Sequence, residues 1–286
     1  MGANISTTVT QLGFTTSNYP AIYRDGGGGG TVNGLNLMWF SDGIFTDGTA
    51  PKDNLSNWRN FTSNSIAVSG YLGAPIQTLT DYGNVQKGPR QQIPYYYNNG
   101  ETDQKTGIWP NQNLVTLCDG GCAVSFPLVV NRTAANAGSL DINLYNTPVK
   151  VDVGAFGPTV TRPTRALFYN GEPLYGTYCS YYGIDGYLYT FAKITGTNSN
   201  GLKVARVPWN SYADRSQYRY WNGSAYVATM PSYDDRGKTN TFNWTETGID
   251  GKKYGPGYGE IFYSQVYKMY IMLFQPDDAG LNHDGT

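Results

Sequence analysis

The chain has 286 residues, a formal net charge of −1, and only 14% charged residues, yet its mean hydropathy is negative. Length allows a large core in one or two domains. The polarity comes from Asn, Ser, Thr, Gly and 25 tyrosines, a profile of turn-rich all-β extracellular proteins. No run of either sign suggests nucleic acid or an anionic membrane surface, and no stretch approaches the apolar length of a membrane span.

Residues 1–20 are polar and Thr-rich, without the apolar core of a signal peptide, so the chain reads as cytosolic or as a mature or trimmed form. Met1-Gly2 with Ser6 formally opens a myristoylation pattern, which we read as coincidence in so uncharged a chain. The stretch YRDGGGGGTVNGLNLMWFSDGIF, from Tyr23 to Phe45, has Asn33-Gly34 at its centre. That dipeptide suits a type I′ hairpin turn, and Leu35 to Phe40 suits a strand. With a two-residue turn and no bulge, Asp25 faces Asp42, and facing Cβ atoms lie roughly 4.5–5.5 Å apart. Two carboxylates so placed suit acid–base or nucleophile chemistry on a sugar. A surface hairpin with two ordinary solvated aspartates is the plainer alternative.

FTSNSIAVSG reads as a further strand. Residues 81–112 are rich in Gly, Pro, Asn and Gln and form a long connection; Tyr95, Tyr96, Tyr97 and Trp109 there either line a groove or anchor the loop. From Leu114 to Val153 two or three strands recur, the last alternating as a half-buried strand does. ALFYNGEPLYGTYCSY carries an Asn170-Gly171 turn. GYLYTFAKI, GLKVARVPW and QYRYWNGSAYVATM follow, with another turn at Asn222-Gly223. GEIFYSQVYKMYIMLFQ holds two strands. Aromatic strand pairs recurring at 40–60 residues match four-stranded propeller blades; a β-sandwich is the alternative.

GIDGYLYTFAKI, ARVPW and DRSQYRYW together resemble the domain-of-unknown-function 4185 family. RDGGGGGTVNGLNLMWFSDG resembles its first-blade hairpin, and GEIFYSQVYKMYIMLF a later strand pair. The resemblance spans most of residues 20–275. It implies one five-bladed β-propeller domain over 1–286, related to glycoside hydrolase families 43 and 183, some of whose members are endo-acting arabinanases. The chain stops at LNHDGT, where another strand pair would close the ring. An incomplete last blade is therefore expected, or a closing strand from another chain, and an open sheet edge would favour a homo-oligomer.

Exclusion narrows the chemistry. The single histidine, His283, leaves no Ser-His-Asp or Cys-His arrangement and no zinc site. The run Gly26–Gly30 lacks the Lys-Ser/Thr of a phosphate loop, and no cofactor is implied. Carboxylates remain. Asp25 is the expected base or nucleophile, with Asp42 tuning it or sharing the role. Glu260 is the expected acid, because of four glutamates it alone leads into an apolar-aromatic strand. Its plainer role is pairing with Lys252 or Lys253. Asp185, Tyr182, Tyr187, Trp209 and Arg24 are expected to contact a saccharide, although Asp185 reads more readily as the Asp-Gly of a tight turn and most tyrosines as packing. Cys118 and Cys122 could close a small disulfide, leaving Cys179 single. Six sequons, at Asn4, Asn54, Asn60, Asn131, Asn222 and Asn243, favour secretion. The expected function is a secreted glycoside hydrolase on a furanose-containing or related polysaccharide; a non-catalytic carbohydrate-binding or self-assembling glycoprotein is the alternative.

Overall fold

The computed structural model describes residues 15–19, 21–52, 54–71, 78–84, 88–110, 113–132, 142–194, 201–233, 242–243, 246–247 and 253–278. Among these the chain is all-β, broken only by short 3-10 turns.

The first unit comprises β1 (Thr16–Ser17), β2 (Ile22–Arg24), β3 (Gly28–Val32), β4 (Leu35–Phe40), β5 (Gly43–Thr46), β6 (Trp58–Thr62), β7 (Ser65–Tyr71) and β8 (Thr78–Asp81). Asn33 and Gly34 both take positive φ (51° and 75°), as a type I′ turn requires. Val32 pairs with Leu35 across it. The same register carries from Gly28↔Trp39 to Arg24↔Gly43. One long meander is thus bent into two sheets, β3-β4-β7-β8, edged by β1 parallel to β8, and β2-β5-β6. The bend falls at Asp25, at Ser41-Asp42 and at Ser63-Asn64, with Gly26 in the left-handed region (φ 50°).

After the short pair β9 (Gly83–Asn84) and β10 (Gly88–Pro89) comes a second unit with the same design. It has β11 (Thr106–Trp109), β12 (Val115–Leu117), β13 (Cys122–Ser125), β14 (Leu128–Asn131), β15 (Ile142–Asn146), β16 (Val149–Gly154), β17 (Gly157–Thr161) and β18 (Phe168–Tyr169). The sheets β12-β13-β16-β17 and β11-β14-β15-β18 are again one meander bent at a corner. Pro110, Pro127, Pro148 and Pro163 stand in the four strand breaks. A proline cannot donate to a ladder, so pairing stops where it stands.

A third meander joins β19 (Cys179–Tyr182), β20 (Tyr187–Ile194), β21 (Gly201–Pro208), β22 (Arg219–Trp221) and β23 (Tyr226–Val227), with β24 (Phe242–Asn243) against β21. Asn222 N–H donates to Ala225 O across the hairpin before β23 (3.0 Å). Last come β25 (Glu246–Thr247) and the hairpin β26 (Lys253–Ser264) with β27 (Met269–Asp278).

The first strands of these units, β3, β12, β19 and β26, are neighbours in that order. Leu114 N–H donates to Gly29 O (2.9 Å) and Thr116 Oγ1 to Thr31 O (2.7 Å), so β3 and β12 run parallel. Asn113 clasps Ser180 through both its amide atoms, joining β12 to β19. The approach is close enough to need a missing side chain: a Cβ on Gly30 would meet the Leu114 carbonyl and sit 2.6 Å from its Cβ. Cores lie between successive units. Val32, Leu37, Trp39 and Ile66 pack on Ile108, Leu114, Val149 and Val151. Phe126, Phe168 and Leu117 pack on Leu188, Ala205, Val207 and Tyr218. Phe191 and Val204 pack towards Ile261 and Met272. The described residues supply three meanders, the short β9–β10 pair and a last three-stranded sheet, β25-β26-β27.

The long 81–112 connection is an anchor over most of its described part. Glu101, with a side chain 3% exposed, takes a two-pronged contact from Arg162 and further bonds from Arg165 Nε, Tyr145 OH and Tyr96 N–H. Tyr95 OH meets Ser63 and Thr106, while Tyr97 is exposed. Burial raises the Glu101 carboxyl, but the hydrogen bonds from Arg162, Tyr145 and Tyr96 outweigh it and hold it below the ordinary value.

Two outcomes follow from this packing. Gly30→Ala overpacks the β3–β12 approach and is expected to cost about 1–3 kcal/mol in urea unfolding; unchanged stability would contradict the close contact. Glu101→Gln breaks a buried pair and is expected to cost about 3–5 kcal/mol at pH 7. Because the folded carboxyl is depressed, its contribution is full above the unfolded value and is lost as pH falls through the folded one. The gap between native protein and variant should therefore shrink in acid, and a gap that widens would refute the assignment.

Candidate functional site

The corner of the first unit opens into a cavity of about 540 Å³ lined by Tyr23, Arg24, Asp25, Asp42, Ile44, Trp58, Phe61 and Arg132. The hairpin register brings its two aspartates together. Asp25 N–H donates to Asp42 O (2.7 Å), and Asp25 O accepts from Ser41 N–H (3.1 Å). Asp25 is exposed, and among the described residues its carboxylate carries no hydrogen bond or ion pair.

Asp42 is held more firmly. Its carboxylate is ion-paired with Arg132 and accepts from Trp109 Nε1 (2.9 Å). Arg132 in turn lies over the rings of Phe61 (4.8 Å) and Trp109 (5.7 Å). Burial pushes the Asp42 carboxyl up; Arg132 and Trp109 pull it back, Asp25 adds a further push, and the balance stays above the ordinary value. A carboxyl that keeps its proton more readily than usual, beside one that stands free, is an arrangement in which the two can divide acid and base roles.

Trp58 and Phe61 form one aromatic wall, their rings 6.1 Å apart and nearly parallel. Strict alternation would put residues 58 and 61 on opposite faces. A bulge breaks it: Phe45 pairs with Asn60 and Thr46 with Trp58, so Arg59 is the extra residue and Trp58 is turned to the side of Phe61. Alternation alone therefore misses this wall. Arg132 carries no local signal either, since it lies beyond β14 and meets Asp42 only through the fold. Trp109, on β11, reaches the site through its indole N–H.

Arg24 lines the cavity, but its guanidinium is committed to the buried Asp81 and lies over Phe40 (4.2 Å). Glu260 is on β26, paired with Leu273. It is exposed, yet partial burial raises its carboxyl, and its charge reaches the buried thiol of Cys179 on β19. Glu260 is not among the residues lining the Asp25–Asp42 cavity.

The other expected contacts gather elsewhere. Asp185 is a turn residue, accepting from Tyr189 OH (2.7 Å) and Tyr187 N–H (3.4 Å). Tyr187 packs against the Arg206 guanidinium. Tyr182 and Trp209 line a second cavity with the loop Thr116–Gly120. Since β12 and β19 run with β3, these four residues lie at the opposite end of the strands from Asp25. Cys118 and Cys122 form a disulfide, and Cys179 is free and buried. Asn54 and Asn222 are exposed, while Asn60 and Asn131 are half-buried. Asn4 and the Asn243 side chain lie outside the described residues.

No protein-family model matches the chain, and no curated protein matches it. Among solved structures, an α-L-arabinofuranosidase from Lactobacillus brevis is similar over 91% of this chain and 67% of its own, at 8% identity and a TM-score of 0.42. A likeness that low carries no argument about the site.

The Trp109 bond to Asp42 gives a direct check. Removing the donor in Trp109→Phe is expected to move Asp42 still higher in a carboxyl-carbon NMR titration. A fall, or no movement, would show that Trp109 does not hold this carboxylate.

Proposed function

We propose that the protein is a secreted, glycoside hydrolase-like β-propeller protein that binds a saccharide in the Asp25–Asp42 cavity and hydrolyses it there. One observation carries the reading: the hairpin register sets two carboxylates opposite each other at the wall of a cavity with an aromatic side. Both line one cavity, and the Asp25 charge is near enough to raise the Asp42 carboxyl; glycosidases use carboxyl pairs about 5–9.5 Å apart. The rings of Tyr23, Trp58 and Phe61 offer apolar faces on which a sugar ring can stack.

Asp25, exposed and uncommitted, takes the role of base or nucleophile. Asp42, braced by Arg132 and Trp109, tunes it. Glu260 takes the role of acid. In support, Cys179 lies against Ile261, and the Tyr178 hydroxyl lies against Gly259. Glu260 thus lies beside the start of β19, the strand that neighbours β12. Its raised carboxyl suits an acid. Parallel, neighbouring first strands with cores between successive meanders are what propeller blades would supply. The disulfide and the exposed sequons Asn54 and Asn222 support an oxidising, extracellular location. A furanose-containing polysaccharide follows from the family resemblance alone.

A second reading has its own support. Asp42 is already engaged by Arg132 and Trp109, leaving Asp25 as the uncommitted carboxylate of the cavity, which suits binding without cleavage. A panel of plant and microbial polysaccharides separates the two. If the protein is hydrolytic, product release falls by about 100-fold or more in Asp25→Asn and in Glu260→Gln. Equal release from native protein and Asp25→Asn would refute the catalytic assignment. Binding lost in Trp58→Ala, with no product from any form, would leave the binding reading.

A further inference from the structure

The opposite end of the first strands carries a cavity of about 470 Å³ whose walls include Thr116, Leu117, Asp119, Gly120, Tyr182 and Trp209. It is distinct from the Asp25–Asp42 cavity and shares no lining residue with it. Thr116 stands beside Thr31, and Asn33 N–H donates to Gly120 O (2.7 Å). The two cavities are therefore separated by about the length of the five-residue β3, on the order of 15 Å at about 3.3 Å per residue.

One wall is a loop closed by the Cys118–Cys122 disulfide. Cys118 and Asp119 both hold left-handed backbone (φ 53° and 52°), a conformation costly for residues with a Cβ. The disulfide and the Asn33–Gly120 bond tie this loop at two points. The facing wall is aromatic. Tyr182 is 43% exposed, and Trp209 is half-buried, with one side on the core and its backbone N–H donating to Gly186 O (3.4 Å). Among the described residues the Asp119 carboxylate, the Tyr182 hydroxyl and the Trp209 indole N–H have no hydrogen-bond partner. The cavity thus joins two rings to one acceptor, one donor and one hydroxyl that serves as either.

We propose that this cavity is a second saccharide-binding site, which grips a polysaccharide chain remote from the Asp25–Asp42 cavity. A sugar ring presents an apolar face for Tyr182 or Trp209 and a rim of hydroxyls for Asp119 and the two ring donors. The lone carboxylate disfavours phosphates and other anions, and a neutral hydroxylated ligand avoids burying a second charge. The cross-linked loop is ordered before the ligand arrives, so little freedom is lost on binding.

Native gels cast with arabinan, arabinoxylan, xyloglucan or mixed-linkage glucan test this with the full chain. Trp58→Ala weakens the first cavity and is expected to leave retardation on at least one polysaccharide. Adding Tyr182→Ala, or Asp119→Asn as a milder variant, should raise the apparent dissociation constant by about tenfold. Circular dichroism checks that each variant is folded. Retardation abolished by Trp58→Ala alone, unchanged by Tyr182→Ala and Asp119→Asn, or absent in every gel would overturn the second site. Failure of hydrolysis with retardation that still depends on Tyr182 would instead refute only the catalytic reading of the first cavity.

Discussion

The register of the first hairpin is the constraint on which the site depends. A type I′ turn at Asn33-Gly34 sets Val32 against Leu35, and the same register holds on both sides of the bend, at Gly28↔Trp39 and at Arg24↔Gly43. Because side chains alternate with period two, a slip of one residue would send Asp42 to the other face. The glycine run has a separate duty at each place. Gly26 turns the corner, and Gly30 lets β3 come against Leu114 of the next unit. The turn that fixes the carboxylate pair thus belongs to the strand that docks the first unit on the second.

The two bent meanders solve the same problem with different chemistry. Each strand of the second unit breaks at a proline, which stops the ladder without leaving a donor unpaired. The first unit breaks at Asp25, Ser41-Asp42 and Ser63-Asn64 instead. Some of these polar groups are spent on structure: Asn64 Oδ1 accepts from Gln92 and Ile93 N–H, and its amide donates to Ile108 O. Asp25 is left over. A corner built from polar residues where its counterpart uses prolines is thus both a structural joint and the place where a carboxylate can stay uncommitted.

Much of this was legible in the chain. The all-β class, the Asn33-Gly34 turn, the facing of Asp25 and Asp42, and the Cys118–Cys122 loop all rest on local rules of turn chemistry and spacing. What sequence did not yield depends on long-range contact or on a broken rule. Trp109 on β11 and Arg132 just beyond β14 reach Asp42 from far along the chain, and Trp58 joins Phe61 only because Arg59 forms a bulge. Tyr182, Asp185, Tyr187 and Trp209 cluster in sequence around one turn, which suggested the same pocket as Asp25. Parallel first strands place that turn at the far end, and sequence proximity carries no information about which end of a strand a loop occupies.

The most direct measurement is a crystal structure of the Asp25→Asn protein soaked with oligosaccharides released from a bound polysaccharide. The account predicts sugar density between residue 25 and Arg132, with a ring stacked on Trp58 or Phe61. An empty corner, with density only beside Tyr182 and Trp209, would contradict its central claim.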